Sequence, residues 1–293
     1  MASGKAAADH QDAKDTKRSS GSPGDRGAQA VKPATPPRDA SAGGALNRER
    51  ACRSARPACI EMALWRRDGL FVVMKPPGPS SFDVVRSSRR ELGVRKIGHA
   101  GTLDPMAEGV LVLGVGRGTK LLAALTGLGK SYRFRMRLGV STDTLDAQGR
   151  IVEERDASSV TAEDVARALP AFRGRILQVP PMASALKRGG VPLYRLARRG
   201  IQVEREPREV EVARLELLDF APGARAEAEL ELDCSAGTYV RSLAGDVGAA
   251  LGVGACVVRL VRTRVGPFTI DEARRPGELL SPSPPCGGSM PAT

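Results

Sequence analysis

Residues 98–120 organise this chain, and they read G-H-A-G-T-L-D-P-M-A-E-G-V-L-V-L-G-V-G-R-G-T-K. The stretch carries His99 and Asp104 in a polar segment, continues into an apolar run over residues 110–113 and closes on a glycine-rich corner over residues 114–118. This order indicates a loop, a strand, a tight corner and the start of a helix. Loops that carry polar residues on regular elements are where function concentrates, so we look for function here.

The residues alone leave the role of Asp104 open. Asp followed by Pro is a good helix start, with Asp104 as the N-cap and Pro105 at the first helical position, and spacing alone favours that interpretation. A catalytic carboxylate is the alternative. The glycine corner does not predict nucleotide binding, because Gly-Thr-Lys over residues 118–120 is not the Gly-Lys-Ser/Thr order of a P-loop and the three glycines lack the dinucleotide spacing.

Residues 98–120 as a whole resemble the signature of the TruB family of pseudouridine synthases. The resemblance extends over residues 68–272, because further segments resemble motifs of that family in the same order. These segments are K-P-P-G-P-S-S at 75–81, T-D-T-L-D-A-Q-G at 142–149, V-P-P-M-A-S-A-L-K at 179–187, C-S-A-G-T-Y-V-R at 234–241 and L-V-R-T-R-V-G-P-F at 260–268. Two positions depart from the family pattern: Ala183 stands where an aromatic is usual, and Val261 where an arginine is usual.

The resemblance implies a function and a fold. It implies an isomerase that converts a uridine in the T loop of tRNA, at position 55, to pseudouridine without a guide RNA. The reaction exchanges one glycosidic bond for another and neither gains nor loses atoms, so no cofactor and no metal are expected. The implied fold is α/β (α+β), with a mixed, mainly antiparallel sheet, flanking helices and a central catalytic cleft. A cytoplasmic monomer that acts on the T arm of tRNA, without a membrane or DNA partner, is expected.

By the same resemblance, Asp104 is the catalytic carboxylate, which acts as a nucleophile or a base near the sugar and the uracil. Arg241 is its predicted partner. A guanidinium can hold a carboxylate in a fixed orientation through two hydrogen bonds and favours its charged form. The sequence does not choose among attack on C1′, attack on the uracil ring and removal of a proton.

The resemblance also predicts the groups that bind the substrate, since a uridine in a structured loop must be extruded before it can react. Tyr132 is predicted to stack on the flipped base, Tyr239 to pack beneath the site and Leu260 to form an apolar wall. His99 is predicted to fill the gap left in the RNA loop. Lys75 is predicted to lie beside the active site, where a phosphate contact and a structural role at the end of a strand are both possible.

Three other functions are compatible with part of the pattern. A non-catalytic protein that binds or folds RNA would have no need of Asp104, Tyr132 and Arg241 together. A guide-RNA-dependent relative usually needs a C-terminal RNA-binding domain, and about 20 residues after Ala273 are too few for one. A glycosidase would need a second acidic residue paired with Asp104, and the sequence offers no convincing one.

Composition agrees with an RNA partner but does not require one. The 293 residues are 41% hydrophobic and carry a formal charge of +12, which favours a polyanionic partner such as RNA, DNA or an acidic membrane. The five cysteines show no paired metal spacing and are expected to be reduced thiols in the cytosol, and the two histidines make a structural zinc site improbable. No apolar run has the length of a membrane span, and no signal peptide is visible.

The chain is predicted to have three parts. Residues 1–60 are a disordered basic tail, 61–273 are the catalytic domain and 274–293 are a second disordered tail. The basic tail is equally well interpreted as a source of salt-sensitive RNA attraction and as an extension without a role. A basic helix over residues 192–200 offers an RNA-facing patch of Tyr194, Arg195, Arg198 and Arg199, with a solvated basic face as the alternative. Predicted strands include 68–75, 96–99, 110–115, 130–138, 208–220 and 227–234. Helices are predicted at 80–92, 118–125, 160–172 and 192–200, and a further helix starts after the glycine turn in residues 234–243 and runs to about 251.

Overall fold

The computed structural model of the protein describes residues 68–280. The basic tail predicted over residues 1–60 lies outside that range, as do residues 61–67 and 281–293. Within the described range no helix combines the length and the apolar character that crossing a membrane requires.

The strands are β1 Gly69–Lys75, β2 Ile97–His99, β3 Glu108–Val115, β4 Lys130–Leu138, β5 Val140–Thr142, β6 Ile151–Glu154, β7 Gly174–Gln178, β8 Lys187–Arg188, β9 Val191–Pro192, β10 Arg208–Ala221, β11 Glu227–Cys234, β12 Ala255–Val265 and β13 Phe268–Thr269. The α-helices are α1 Ser81–Leu92, α2 Leu122–Thr126, α3 Ala162–Ala168, α4 Leu193–Ala197 and α5 Val240–Ala250. Short 3₁₀ helices cover Gly116–Leu121, Leu169–Phe172 and Ile270–Glu272.

Nine strands form one sheet in the order β1-β3-β12-β4-β11-β10-β7, with β2 paired to β3 and β13 paired to β12. Every pairing in this sheet is antiparallel except β3 with β12, where Glu108 and Gly109 lie beside Val261 and Arg262. The predicted mixed, mainly antiparallel sheet with flanking helices is therefore confirmed. The parallel step brings the start of β3, and with it the loop over residues 98–107, to the middle of the sheet.

The two faces of the central strands have opposite character. Phe134 and Met136 on β4 and Leu230 and Leu232 on β11 are buried, and they pack with residues of α5 such as Leu243. Alternate residues of β4 point away from this core, as the period-two pattern predicts. The three arginines on that outer side lie directly opposite glutamates of β11 in the strand register: Arg133 opposite Glu231, Arg135 opposite Glu229 and Arg137 opposite Glu227.

These cross-strand pairs neutralise the basic side of β4. Arg135 donates to Glu229 at 2.7 Å, and Arg137 donates to Glu227 at 2.8 Å. Solvent screens partly exposed pairs of this kind, so they add little to stability. The arginines of β4 therefore belong to a mixed-charge surface in the fold.

The loop before β3 does not form the helix that Asp104-Pro105 favours on spacing alone. Residues 104–107 form a single turn, closed by a hydrogen bond of 3.1 Å from the Ala107 amide to the Asp104 carbonyl, and β3 starts at Glu108. A helix would draw the carbonyls of Pro105 and Ala107 into its own hydrogen bonds. Instead both carbonyls accept hydrogen bonds from the Lys75 ammonium, so a tertiary contact overrides the local preference.

The glycine corner has a packing explanation. A Cβ atom at Gly118 would overlap the carbonyl oxygen of Gly69, so only glycine lets the corner lie against the start of β1. The helix predicted over residues 118–125 is present, but it begins as a 3₁₀ turn and becomes α-helical only at Leu122. The corner thus serves the close approach of two chain segments.

The predicted C-terminal tail starts too early at residue 274. The Arg274 amide donates to Val72 and its carbonyl accepts from Met74, so the segment lies against the outer edge of β1. The Glu91 carboxylate on α1 accepts from the amides of Gly277 and Leu279, and Leu279 is 2% exposed in the core beneath that helix. Residues 274–280 therefore pack on the domain, because they cover an otherwise open strand edge.

Candidate active site

Asp104 and Arg241 form a two-point ion pair. Arg241 is the second residue of α5, and its Nε donates to Asp104 Oδ2 at 2.8 Å while its Nη2 donates to Oδ1 at 3.1 Å. The arginine side chain is 4% exposed, whereas that of Asp104 is 32% exposed. A buried guanidinium therefore orients a carboxylate that can still be reached from outside, and the predicted contact between these residues is present.

The same guanidinium joins two more segments to the Asp104 loop. Nη1 donates to the Thr144 carbonyl at 2.9 Å and lies 3.4 Å from Asp146 Oδ2. Nη2 also donates to the Ala183 carbonyl at 2.8 Å. This last contact uses the backbone, so it does not depend on the aromatic side chain that Ala183 replaces.

Asp146 is a site residue that the sequence analysis did not single out. It is the last acidic residue of the T-D-T-L-D motif, and that motif was the available signal. Its Oδ1 accepts from Thr144 Oγ1 at 2.8 Å and from the Gln148 amide at 3.1 Å. The preceding Leu145 has φ of 61°, the left-handed conformation that a bulky residue adopts only when its surroundings enforce it. The turn thus presents Asp146 to Arg241.

The loop that carries Asp104 is fixed by a hydroxyl from α1. Ser81 Oγ accepts from the Leu103 amide at 2.8 Å and donates to the Leu103 carbonyl at 3.0 Å. The helix that supplies Ser81 begins with a capping box, in which Ser80 and Asp83 each bond the other's backbone amide. The residue before Asp104 is therefore attached to a well-formed helix start.

Arg262 fixes the first part of the loop and was also missed by the sequence analysis. It is 1% exposed, and its guanidinium donates to the carbonyls of Val110 at 2.7 Å and of Gly101 and Thr102 at 3.3 Å each. It is the second of the two positions where the closing motif has arginines, next to Val261. The missing arginine at 261 leaves this contact intact, since Val261 itself is buried in β12 between β3 and β4.

Lys75 does not lie where a substrate phosphate could contact it. It is completely buried, and its Nζ donates to the carbonyls of Pro76 at 2.9 Å, Pro105 at 3.1 Å and Ala107 at 2.6 Å. Burial lowers its pKa to about 8 against the favourable charge of Asp104. Of the two roles that the sequence leaves open, burial contradicts the phosphate contact, and the hydrogen bonds fit a structural lysine that supports the Asp104 loop from beneath.

Two openings meet at Asp104. The inner cavity has a volume of about 330 Å³, and its walls include Asp104, Tyr132, Tyr239, Arg241, Leu260 and Arg262. The outer groove has a volume of about 910 Å³, and its walls include Phe82, His99, Asp104, Tyr194, Arg198 and Arg241. The fold therefore brings five predicted site residues to the inner cavity, places His99 on the outer groove and leaves Lys75 in neither. A further cavity of about 430 Å³, lined by Arg155, Arg205 and Asp246, shares none of these residues.

The surroundings decide which side chains carry charge at neutral pH. Burial raises the pKa of the Tyr132 and Tyr239 phenols, and burial lowers the pKa of His99 below 6.5. Both phenols are therefore protonated and His99 is neutral near pH 7. Within residues 68–280 no group of three or more His, Cys, Asp or Glu side chains is placed to hold a metal ion.

Two protein-family models together match most of the residues that the structure describes. The family described as TruB family pseudouridylate synthase (N terminal domain) matches residues 89–240, and the tRNA pseudouridylate synthase B C-terminal domain matches residues 241–278. A tRNA pseudouridine synthase B of Symbiobacterium thermophilum is 54% identical over 214 residues, which cover 73% of this chain and 72% of that protein. A protein of the same name from a Mycobacterium species is 48% identical, covering 76% and 75%.

Solved structures similar to this chain include subunits of ribonucleoprotein complexes. A chain from a Cbf5-Nop10-Gar1 complex superimposes with a TM-score of 0.59 at 31% identity. A chain from an H/ACA RNP bound to a substrate RNA containing 2′-deoxyuridine superimposes with a TM-score of 0.55 at 29% identity. These alignments cover 75% and 77% of this chain, but 55% of each of the other chains, so this chain spans little more than half of their length.

Proposed function

The chain belongs to the TruB family of pseudouridylate synthases, and from that premise we propose how its site isomerises a uridine of tRNA to pseudouridine. The reaction breaks the bond from N1 of uracil to C1′ of the ribose and forms a bond from C5 to C1′. The observation that carries the proposal is the two-point pair of Asp104 with Arg241, placed where the inner cavity meets the outer groove.

The target uridine occupies the inner cavity after it has been extruded from the RNA. Tyr132 offers an aromatic face and Leu260 an apolar wall, and both line that cavity. Stacking of a base on an aromatic side chain is worth about 1–3 kcal/mol. Tyr239 closes the cavity beside Arg241, with its backbone amide donating to Gln178 Oε1 at 2.7 Å and its carbonyl accepting from Gln178 Nε2 at 3.1 Å.

Asp104 supplies the reactive group, as a nucleophile or as a base. Each of its oxygens accepts one hydrogen bond from Arg241, and a carboxylate oxygen has a second lone pair that can face the substrate. Because Ser81, Lys75 and Arg262 hold the surrounding loop, the carboxylate need not be ordered again when the RNA binds. Such preorganisation lowers the cost of reaching the transition state.

The T loop of tRNA is the proposed target, and the enzyme acts on it as a monomer in the cytoplasm, without a guide RNA. The support for this is the resemblance of residues 98–120 and of the later motifs to those of the family. His99 on the outer groove fills the space that the extruded uridine leaves in the RNA loop. Its lowered pKa means that it does so as a neutral ring.

The proposal is tested with an unmodified T-arm stem-loop and no added guide RNA or cofactor. Wild type should convert the target uridine, whereas Asp104→Asn should show no conversion above background. Asp219→Asn is a matched control, since Asp219 is an exposed carboxylate on β10 that lines neither the inner cavity nor the outer groove. It should retain most of the wild-type rate.

Two results would overturn the proposal. Conversion by Asp104→Asn would remove the carboxylate from the mechanism. Conversion by wild type only after a guide RNA is supplied would contradict the guide-independent reaction. A stem-loop of unchanged stem and altered loop sequence serves as the specificity control.

A further inference from the structure

Two aromatic rings stand unusually exposed on the outer groove. Phe82, at the second position of α1, is 53% exposed, and Tyr194, at the second position of α4, is 36% exposed. Both rings line the groove that contains Asp104. Single exposed apolar side chains are common on protein surfaces, but two exposed aromatic rings on the wall of one groove offer two flat faces to the same ligand.

Each ring is accompanied by arginine. The guanidinium carbons of Arg86 and Arg89 lie 5.4 and 5.7 Å from the centroid of the Phe82 ring, and that of Arg198 lies 5.7 Å from the centroid of Tyr194. A cation at this distance is attracted to the face of the ring. Arg89 is itself anchored, because its Nη2 donates to the Ile97 carbonyl at 2.9 Å. The Phe82 ring is therefore held in place by a side chain tied to β2.

The arginines at these rings differ from those on the sheet. Within residues 68–280 the arginines of β4 are paired with glutamates, whereas Arg89 and Arg198 form no ion pair with a carboxylate in that range. Arg198 lines the outer groove, and Arg89 contacts the Phe82 ring on its wall, so a guanidinium without a carboxylate partner in the described range accompanies each ring. A flat ring beside an uncompensated guanidinium fits an unpaired nucleotide, because the ring stacks on the base and the cation attracts the phosphate.

We propose that Phe82 and Tyr194 are two stacking platforms for unpaired nucleotides adjacent to the target uridine. The inference rests on the proposed function, since it takes the same RNA as the occupant of the outer groove. The groove and the inner cavity share Asp104 and Arg241, so a strand with one base in the cavity continues directly into the groove. With about 910 Å³ against 330 Å³, the groove has room for more than the single nucleotide of the inner cavity.

The test pairs protein variants with abasic RNAs. Phe82→Leu and Tyr194→Leu keep an apolar side chain but remove the π face, and Phe82→Tyr and Tyr194→Phe are the matched controls that keep the ring. The substrates are the T-arm stem-loop and versions in which each unpaired nucleotide near the target is replaced, one at a time, by an abasic residue. KM and kcat are measured for every combination.

The leucine variants should raise KM on the intact RNA about tenfold with little change in kcat, because each loses one base stack. For each platform, one abasic position should raise the KM of wild type by a similar factor and leave the KM of the matching leucine variant unchanged. The controls that keep the ring should stay within about twofold of wild type on every RNA.

An unchanged KM in both leucine variants would overturn the inference, as would a loss that is the same on intact and on every abasic RNA. Binding distinguishes this failure from failure of the proposed function. The dissociation constants of the same RNAs are therefore also measured in an Asp104→Asn background, where no conversion is needed. If wild type converts nothing, the proposed function fails. The dissociation constants of the intact and abasic RNAs then still show whether Phe82 and Tyr194 stack on unpaired bases. If Tyr194→Leu does not fold, the Phe82 pair decides alone.

Discussion

At the scale of single residues, one guanidinium determines the geometry of the site. Arg241 contacts Asp104, Thr144, Asp146 and Ala183, which belong to three segments far apart in the sequence. Removal of one partner of a buried ion pair strongly destabilises the folded protein, because the remaining charge cannot be solvated. The arrangement of the three segments around Asp104 therefore depends on this side chain.

Lys75 gives a prediction about alkaline pH. As an ammonium it has three N–H donors for the carbonyls of Pro76, Pro105 and Ala107, and as an amine it has two. Burial lowers its pKa to about 8. We expect kcat at saturating RNA to fall as the pH rises through about 8, since the Asp104 loop then loses a hydrogen bond. A pH profile of kcat from about 6.5 to 9.5 measures this.

The stability of the protein should respond to Lys75 in the opposite direction. The pKa of Lys75 in the folded state, about 8, is below the ordinary lysine value of 10.5 that applies to the unfolded chain, so the unfolded chain binds the proton more tightly. The contribution of this group to the free energy of unfolding therefore rises between pH 8 and 10.5. As the pH rises through about 8, we therefore expect kcat to fall while the contribution of Lys75 to the free energy of unfolding does not fall. If Lys75→Met keeps the same decline near pH 8, the decline belongs to another group.

At the scale of elements, α1 fixes the loop that carries Asp104, a role that the sequence of the helix does not reveal. The S/T-x-x-D pattern predicts its start, and Ser80 and Asp83 form the capping box there. What the pattern cannot show is that the next residue, Ser81, bonds both backbone groups of Leu103 across the fold. The helix therefore positions the Asp104 loop and also covers the apolar core beneath it.

Two buried serines of α1 allow a matched test of that role. Ser81→Ala removes the contact with Leu103, whereas Ser88→Ala removes only a bond to Val84 within the helix. We expect Ser81→Ala to lower kcat about five- to tenfold, the equivalent of about one hydrogen bond, and Ser88→Ala to leave kcat nearly unchanged. Rates of pseudouridine formation and unfolding by urea are measured for both variants. Equal effects on kcat would show that α1 acts only through overall stability.

Prediction from sequence succeeded where the signal is local. The alternating pattern of residues 130–138 predicted β4 with its observed bounds, and the glycine turn within residues 234–243 predicted the helix that follows it, α5. Prediction from sequence failed where a residue far away in the chain determines the local structure or the role of a side chain. Asp104 resembles a helix cap until the buried Lys75 ammonium is seen to bind the two carbonyls that follow it, and Asp146 acquires its role only beside Arg241.

At the scale of the whole molecule, the parallel pairing of β3 with β12 explains why the site lies at the centre of the sheet. It places the loop before β3 beside Arg262 of β12, and the adjacent β4 supplies Tyr132. No periodicity in the sequence specifies which strands become neighbours, so this pairing was not predicted; the resemblance implied only a mixed, mainly antiparallel sheet with a central cleft. The motifs lie far apart along the chain because each supplies one side of a single central site.

The last segment of the domain provides a prediction at the same scale. Residues 274–280 close the edge of β1, and their anchor is Leu279, which is 2% exposed and packs with Val73, Val84 and Val85. The neighbouring Leu280 is 37% exposed and is a matched control. We expect Leu279→Ala to lower the free energy of unfolding by about 2–4 kcal/mol, because it leaves a cavity in that core, and Leu280→Ala to change it by no more than about 0.5 kcal/mol.

Urea unfolding of the full chain measures both leucine variants. Each variant should form pseudouridine at the wild-type rate under conditions where it remains folded. The reason is that Leu279 packs in the core beneath α1 and does not line the groove that contains Asp104. Equal and small changes in unfolding free energy would mean that the segment is not part of the cooperative unit. A large change for Leu279 alone would extend the folded domain to residue 280, beyond the boundary that composition indicates, because one buried leucine and two hydrogen bonds to Glu91 outweigh the loop-forming residues around them.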